Sequence, residues 1–259
     1  MALLVPHHIE ASGLMDRLSD YKWDDEPSDC MFEVPRLEND ITSFLSRPIL
    51  GMAAAMAEWV VWPLSHGREA VFTDFIEACW AAVVDRRYLR HASRDFGHRA
   101  REFYALPSNI ESAQDLWKPG ELEDRIRGPQ FIALYLLEEV VDLTLPNDCG
   151  AKEAVYLSNL VEQVTKKSSA FKSWRKEICK RLLQHHRLEL AGNDKLIGTP
   201  VPREAMDPAF PYDPIQAPDL IRAFLQGLDP SKNRFLTPAA EMKQLGFPGT
   251  PYEFESSTP

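Results

Sequence analysis

Apolar residues recur at spacings of three and four through the middle of the chain, the period of an amphipathic helix and not of a strand. Ile49, Met52, Ala53, Met56, Trp59 and Val60 mark one such face. Ser46 is placed to cap the start of this helix, Pro48 falls in its first turn, and Pro63 and Gly67 are expected to end it. A second helix is predicted over about 68–92, where Phe72, Phe75, Ile76, Cys79 and Val83 keep the same spacing. Val71, Trp80 and Val84 lie off that face and are apolar too, so this helix should be covered on several sides. Ser93 is placed to cap a shorter helix that reaches about Leu106.

Gly128-Pro129 then precedes an apolar helix predicted over 130–145, and Asp148 is placed to cap another over about 151–166. A further helix is predicted over about 169–191, with Phe171, Trp174, Ile178 and Leu182 on one face. Beyond residue 196 the composition changes, for eleven of the twenty prolines lie there. That density forbids a bundle and favours extended chain. Two short helices, about 218–228 and 238–246, interrupt it. Phe210, Tyr212, Phe235, Phe247, Tyr252 and Phe254 punctuate the segment, and a free linker has little use for them. No period-two alternation lies between turn signals, which disfavours all-β and doubly wound folds. The expected fold is all-α. Six or seven helices form an irregular bundle over 40–195, with an acidic, irregular arm at 1–39 and a proline-rich strap at 196–259 that packs back on the bundle.

Size and cysteine usage agree with a self-sufficient core. A chain of 259 residues, 44% of them hydrophobic, needs no metal or disulfide staple. Cys30, Cys79, Cys149 and Cys179 are too far apart for a C-x-x-C site, which points to a reducing compartment. The first residues lack a basic n-region and a long apolar stretch, so no secretory signal is read there. No run approaches a membrane span, and a cytoplasmic location is expected.

Charge adds the feature that composition alone hides. The net charge is −10, yet two stretches are strongly basic. Residues 86–101 hold six arginines against Asp95, and residues 166–187 hold eight bases against Glu177. Acids concentrate in the arm, at Asp20, Asp24, Asp25 and Glu26 among others, and again in 102–165.

Motifs mostly exclude. Neither G-x-G-x-x-G nor G-x-x-x-x-G-K is present, so the common nucleotide-binding loops are absent. G-x-S-x-G is missing, as are H-E-x-x-H and any E-x-x-H pair, which removes the nucleophile elbow, zincins and the usual di-iron bundle. His91, Asp95 and His98 would share a face of a continuous helix and could hold a divalent metal or act in acid–base chemistry. Gly97 and Ser93 weaken that helix, and a surface His–Asp pair among arginines is ordinary. His185, His186 and Glu189 form a second trio, for which favourable interaction with a helix C-terminus is sufficient reason. Glu138 and Asp142 are i,i+4 carboxylates for which a solvated edge is the simpler account.

The leading functional reading is therefore a non-catalytic interaction protein, of inhibitor, immunity or adaptor type, that docks another protein through charged surfaces. A basic partner would suit the acidic arm, through Asp20, Asp24, Asp25 and Glu26. Arg86, Arg87, Arg90, Arg94, Lys172 and Lys176 are the basic counterparts. Nucleic-acid or phosphate binding through the two basic stretches is the alternative, and a helical metal enzyme using the His/Asp trio is the third. No cofactor is expected. The bland reading of the arginines is that they neutralise the 102–165 carboxylates within the fold.

Overall fold

The computed structural model describes residues 3–17, 30–65, 70–90, 122–143, 150–187 and 197–254. The fold is all-α. Among the described residues there are ten α-helices: α1 (His7–Glu10), α2 (Leu14–Arg17), α3 (Pro35–Thr42), α4 (Ser46–Ser65), α5 (Ala70–Val84), α6 (Leu122–Leu143), α7 (Ala151–Val164), α8 (Ser169–His185), α9 (Ala217–Gly227) and α10 (Ala239–Gln244). The β-type pairings described are two isolated bridges, Phe44 with Arg187 and Leu89 with Leu236.

α4 is the axis of the molecule. It packs directly on α5, α6 and α7, and α3 and α8 close over α7. Its central run, Met52 to Ala57, is fully buried, and four alanines there let neighbouring helices come close on all sides. A Cβ at Gly51 would lie 3.2 Å from Met206 Cε and 3.5 Å from Trp80 Cζ3, so the absent side chain admits two neighbours. The second predicted helix is covered as its all-round apolar pattern requires, with Phe72, Phe75, Ile76, Cys79 and Trp80 all buried.

Several boundaries differ from the sequence reading, each for a local reason. Pro63 does not end α4, which runs to Ser65. A proline this near the terminus removes one late hydrogen bond and leaves the earlier ladder whole. Pro129 lies inside α6, which begins at Leu122. The preceding residue is Gly128, whose missing Cβ relieves the usual clash of a proline ring with the residue before it. α5 stops at Val84, well short of 92, because the Asp85 side chain accepts from Arg87 N and starts a 3-10 turn over Arg86–Tyr88. α8 stops at His185, and Arg187 pairs with Phe44 instead of extending it. The start of the chain is less irregular than its composition suggests, since α1 and α2 seat Ile9 and Leu14 in the common core.

The non-helical segments are held by side chains reaching out of the helices. Residues 203–210 make one 3-10 turn, Arg203–Met206, and no longer ladder, so several of their carbonyls need other donors. Arg181 of α8 supplies them: Nη1 donates to Ala205 O at 2.6 Å and Asp207 O at 2.9 Å, and Nη2 to Phe210 O at 3.1 Å. Trp174 Nε1 donates to Met206 O at 2.7 Å. Asn159 Nδ2 holds Cys30 O and Phe32 O at 3.0 and 2.8 Å. Asn233 anchors the later strap, donating to Asp74 O at 2.7 Å and to Glu77 Oε2 at 3.0 Å. The aromatic residues there follow suit, with Phe235 buried edge-on against Phe75 at 5.3 Å between centroids.

The Arg181 clamp sets a test of this arrangement. Arg181→Ala should cost about 3 kcal/mol in urea unfolding, since several carbonyls lose a charged donor at once. Arg181→Lys should recover less than about half of that loss, because an ammonium cannot spread two donor forks. A change within about 0.5 kcal/mol, as expected for an exposed surface residue, would show that the clamp holds nothing.

Candidate functional site

Among the described residues, two places stand out for combining a concave surface with chemistry-bearing side chains. The first is a groove of ≈ 510 Å³ between α3 and α8. α3 starts at Pro35, whose fixed φ suits a first turn, and its amphipathic pattern buries Leu37 and Ile41 while Arg36 faces out. Ser168 caps α8, its Oγ accepting from Ala170 N at 3.2 Å. The apolar face of α8 (Phe171, Trp174, Ile178, Leu182) then points inward and leaves its lysines outward. The groove floor is Val34, Leu37, Cys179 and Leu183, and the rim carries Arg36, Lys172, Lys176 and Lys180. Asp40 is the acid that lines it. Arg175 also lines the groove but is engaged, its Nη1 lying 2.7 Å from Glu162 Oε1 and 2.6 Å from Ser158 Oγ. Burial pushes the Cys179 thiol up to about 11, so it sits in the floor as a neutral apolar group.

The second place is a polar cleft under α1. It comprises two adjoining cavities, ≈ 190 and ≈ 460 Å³, that share His7, His8 and Asp207. Glu58 of α4 is fully buried behind it, and burial raises its carboxyl above the usual range. Arg203 answers that charge: Nε and Nη2 both lie 2.8 Å from Glu58 Oε1, while Nη2 also donates to Leu4 O at 2.6 Å. Trp80 Nε1 also donates to the same oxygen, at 3.2 Å. His8 is stacked on Trp174 at 5.7 Å and tilted against Trp59 at 5.5 Å. Its side chain is 9% exposed, and neither ring nitrogen has a hydrogen-bond partner. Trp59 Nε1 is likewise buried and unpartnered. Sequence reasoning missed this cleft because positions 8, 58, 203 and 207 carry no shared motif. A buried acid, Glu58, on an otherwise apolar helix was the signal present.

The residues singled out from sequence are distributed as follows. Asp20, Asp24, Asp25, Glu26, Arg94, His91, Asp95 and His98 lie outside the described residues. Arg87 is held by Asp85, with Nε at 2.8 Å and Nη2 at 2.6 Å, and Nη1 donates to Gly246 O at 2.7 Å. Arg90 pairs with Glu241 at 2.8 Å. Arg86 opens the 3-10 turn that contains Arg87 and is half-buried. Among the described residues, Arg87 thus reaches the C-terminal strap and its near neighbour Asp85, and Arg90 reaches the strap; residues 102–121 lie outside the described residues. Lys172 and Lys176 stay exposed on the groove rim. His186 is buried, its Nε2 3.2 Å from Tyr212 Oη, and His185 stands edge-on to Tyr212 at 5.9 Å between centroids, while Glu189 lies outside the described residues. Glu138 is half-buried and Asp142 exposed, so neither is a buried acid. Among the described residues no three His, Cys, Asp or Glu side chains are grouped to hold a metal, and no helix is long and apolar enough to cross a membrane.

The buried histidines make stability depend on pH in a stated direction. Burial lowers His8 and His186 from 6.5 to about 4. Between those values the unfolded chain binds protons that the folded one does not, so stability falls as pH drops from 6.5 toward 4. Each ring is worth on the order of 3 kcal/mol over the full interval. The raised carboxyls of Glu58, Asp74 and Glu77 act the other way, favouring the folded state as they take up protons. His8→Phe should therefore flatten the acid limb of a urea-midpoint profile between pH 7 and 5. An unchanged limb would mean that His8 is not buried neutral. Compared with protein-family models, with curated proteins and with solved structures, the chain matches none.

Proposed function

We propose that this chain is an interaction protein whose docking surface is the α3–α8 groove, and that its partner presents an acidic amphipathic helix. The observation that carries this reading is the groove's make-up: an apolar floor of Val34, Leu37, Cys179 and Leu183 under a rim of Arg36, Lys172, Lys176 and Lys180. Apolar anchors of an incoming helix would cover the floor, and its carboxylates would meet the rim. The rim charges are exposed, so they act chiefly by steering encounter and selecting partners, with affinity resting on the floor. Lys180 is partly offset by Glu177 at 3.9 Å, which leaves Arg36, Lys172 and Lys176 as the principal contacts. No acid–base machinery is needed for this role.

Binding of nucleic acid is the second reading, and the lysine face favours it in part. The engagement of Arg87 and Arg90 with the strap weakens it, since a phosphate surface needs both basic stretches free.

A labelled helical peptide with Leu at i, i+4 and Glu elsewhere tests the proposal by fluorescence anisotropy. It should bind at about 10 μM or tighter in low salt. The double variant Lys172→Glu, Lys176→Glu should weaken it at least about tenfold while leaving unfolding within about 0.5 kcal/mol of the parent. Equal binding by the double variant, or by a peptide with Lys in place of Glu, overturns the proposal. Tighter binding of duplex DNA than of the acidic peptide overturns it in favour of the second reading.

A further inference from the structure

The cleft under α1 has features that packing alone does not explain. His8 is nine-tenths buried, lines both adjoining cavities, and leaves both ring nitrogens unpartnered. A buried polar group without a partner costs free energy, and its persistence asks for a role. Asp207 stands beside it, with Oδ1 4.0 Å from His8 Nδ1 and Oδ2 3.9 Å from His7 Nδ1. Both separations are too long for a hydrogen bond. Asp207 is nonetheless a fixed carboxylate, because Oδ1 accepts from Ala209 N at 2.9 Å.

The charges in the cleft do not balance within it. Glu58 and Arg203 neutralise each other at 2.8 Å. Glu204 and Asp207 line the same cavity beside that pair. Arg181 is near, but its donors go to the carbonyls of 205–210, Asp207's own among them. The wall opposite the acids is apolar and aromatic, made by Val5, Pro6 and Phe210, with Trp59 and Trp174 lining the adjoining cavity.

We propose that this cleft is a binding site for a small organic cation, a primary ammonium or guanidinium on a short alkyl stem, with Asp207 as its counter-ion. One cationic nitrogen seated on Asp207 Oδ2 also meets His7, and reaches the His8 lone pair after a small outward swing of the imidazole. The stem lies against Pro6 and Phe210. His8 is an acceptor at neutral pH because burial lowers its basicity, so it does not repel the incoming charge. Arg203, tied to Glu58 and to Leu4 O, braces the wall and stays out of the exchange.

Isothermal titration of the full chain with n-butylammonium and n-butylguanidinium chloride, and with sodium butyrate as control, tests the site. NMR of the histidine Cε1–H signals locates it. Either cation should bind with a Kd of about 1 mM, as expected for so small a ligand, and butyrate should not bind. Binding should shift the His8 signal. Asp207→Asn keeps the Ala209 contact through its amide oxygen, and should weaken binding about tenfold. His8→Phe keeps the ring stack on Trp174 and should weaken it severalfold. No binding of either cation at about 50 mM, butyrate binding equally, or full binding by Asp207→Asn overturns the proposal. So does tight binding of zinc chloride with neither amine bound, which would mark a metal site instead.

Discussion

The constraint on which the rest of this structure depends is that every buried backbone carbonyl needs a donor, even where no helix or sheet supplies one. Nearly a quarter of the chain is a proline-rich segment in which two short helices, α9 and α10, are separated by stretches with no ladder of their own. Its carbonyls are met from the helices by the Arg181 fork, the Trp174 indole and the Arg47 guanidinium at Gly198 O, and its own Asn233 amide donates in return to Asp74 O of α5. The lead-in before α3 is held the same way by Asn159. A helical core and two irregular segments thus become one body, and the irregular parts bring Arg203 and Asp207 to the face of α4.

That solution changes the meaning of the charge pattern. A basic stretch in a sequence looks like a surface offered to something else. Here the arginines and lysines separate by chemistry. Arg87, Arg90 and Arg181 work inside the molecule, where a planar fork can serve two acceptors in fixed directions. Lys172 and Lys176, with one strongly hydrated charge each, stay in water. The same helix therefore contributes both to holding the strap and to rimming a groove.

The core carries a charged side chain at its axis. Glu58 is fully buried on α4, and desolvation disfavours its charge. Arg203 and Trp80 both donate to one carboxylate oxygen, and the guanidinium charge lies beside it, which stabilises the ionised form against that penalty. A buried pair of this kind is weak support for stability as such. Its clear structural effect is placement, because Arg203 also holds Leu4 O and so fixes the N-terminal segment over the cleft.

Periodicity alone determined the helical class, the buried faces of α4, α5 and α8, and the position of α9. Those are consequences of spacing along one segment, and a sequence displays spacing directly. Helix ends at Pro63 and Pro129 were misread, because a proline's effect depends on its depth in the ladder and on the residue before it. Lys172 and Lys176 were legible as an exposed face, but the groove they rim needed α3 beside α8. The His8–Asp207 cleft was not legible at all. Its members come from four segments scattered over almost 200 positions, and only the packing of the strap and α1 against α4 makes them neighbours. Which charges face outward was likewise decided by tertiary structure, since a guanidinium turns inward only when carbonyls or carboxylates from elsewhere in the chain are within its reach.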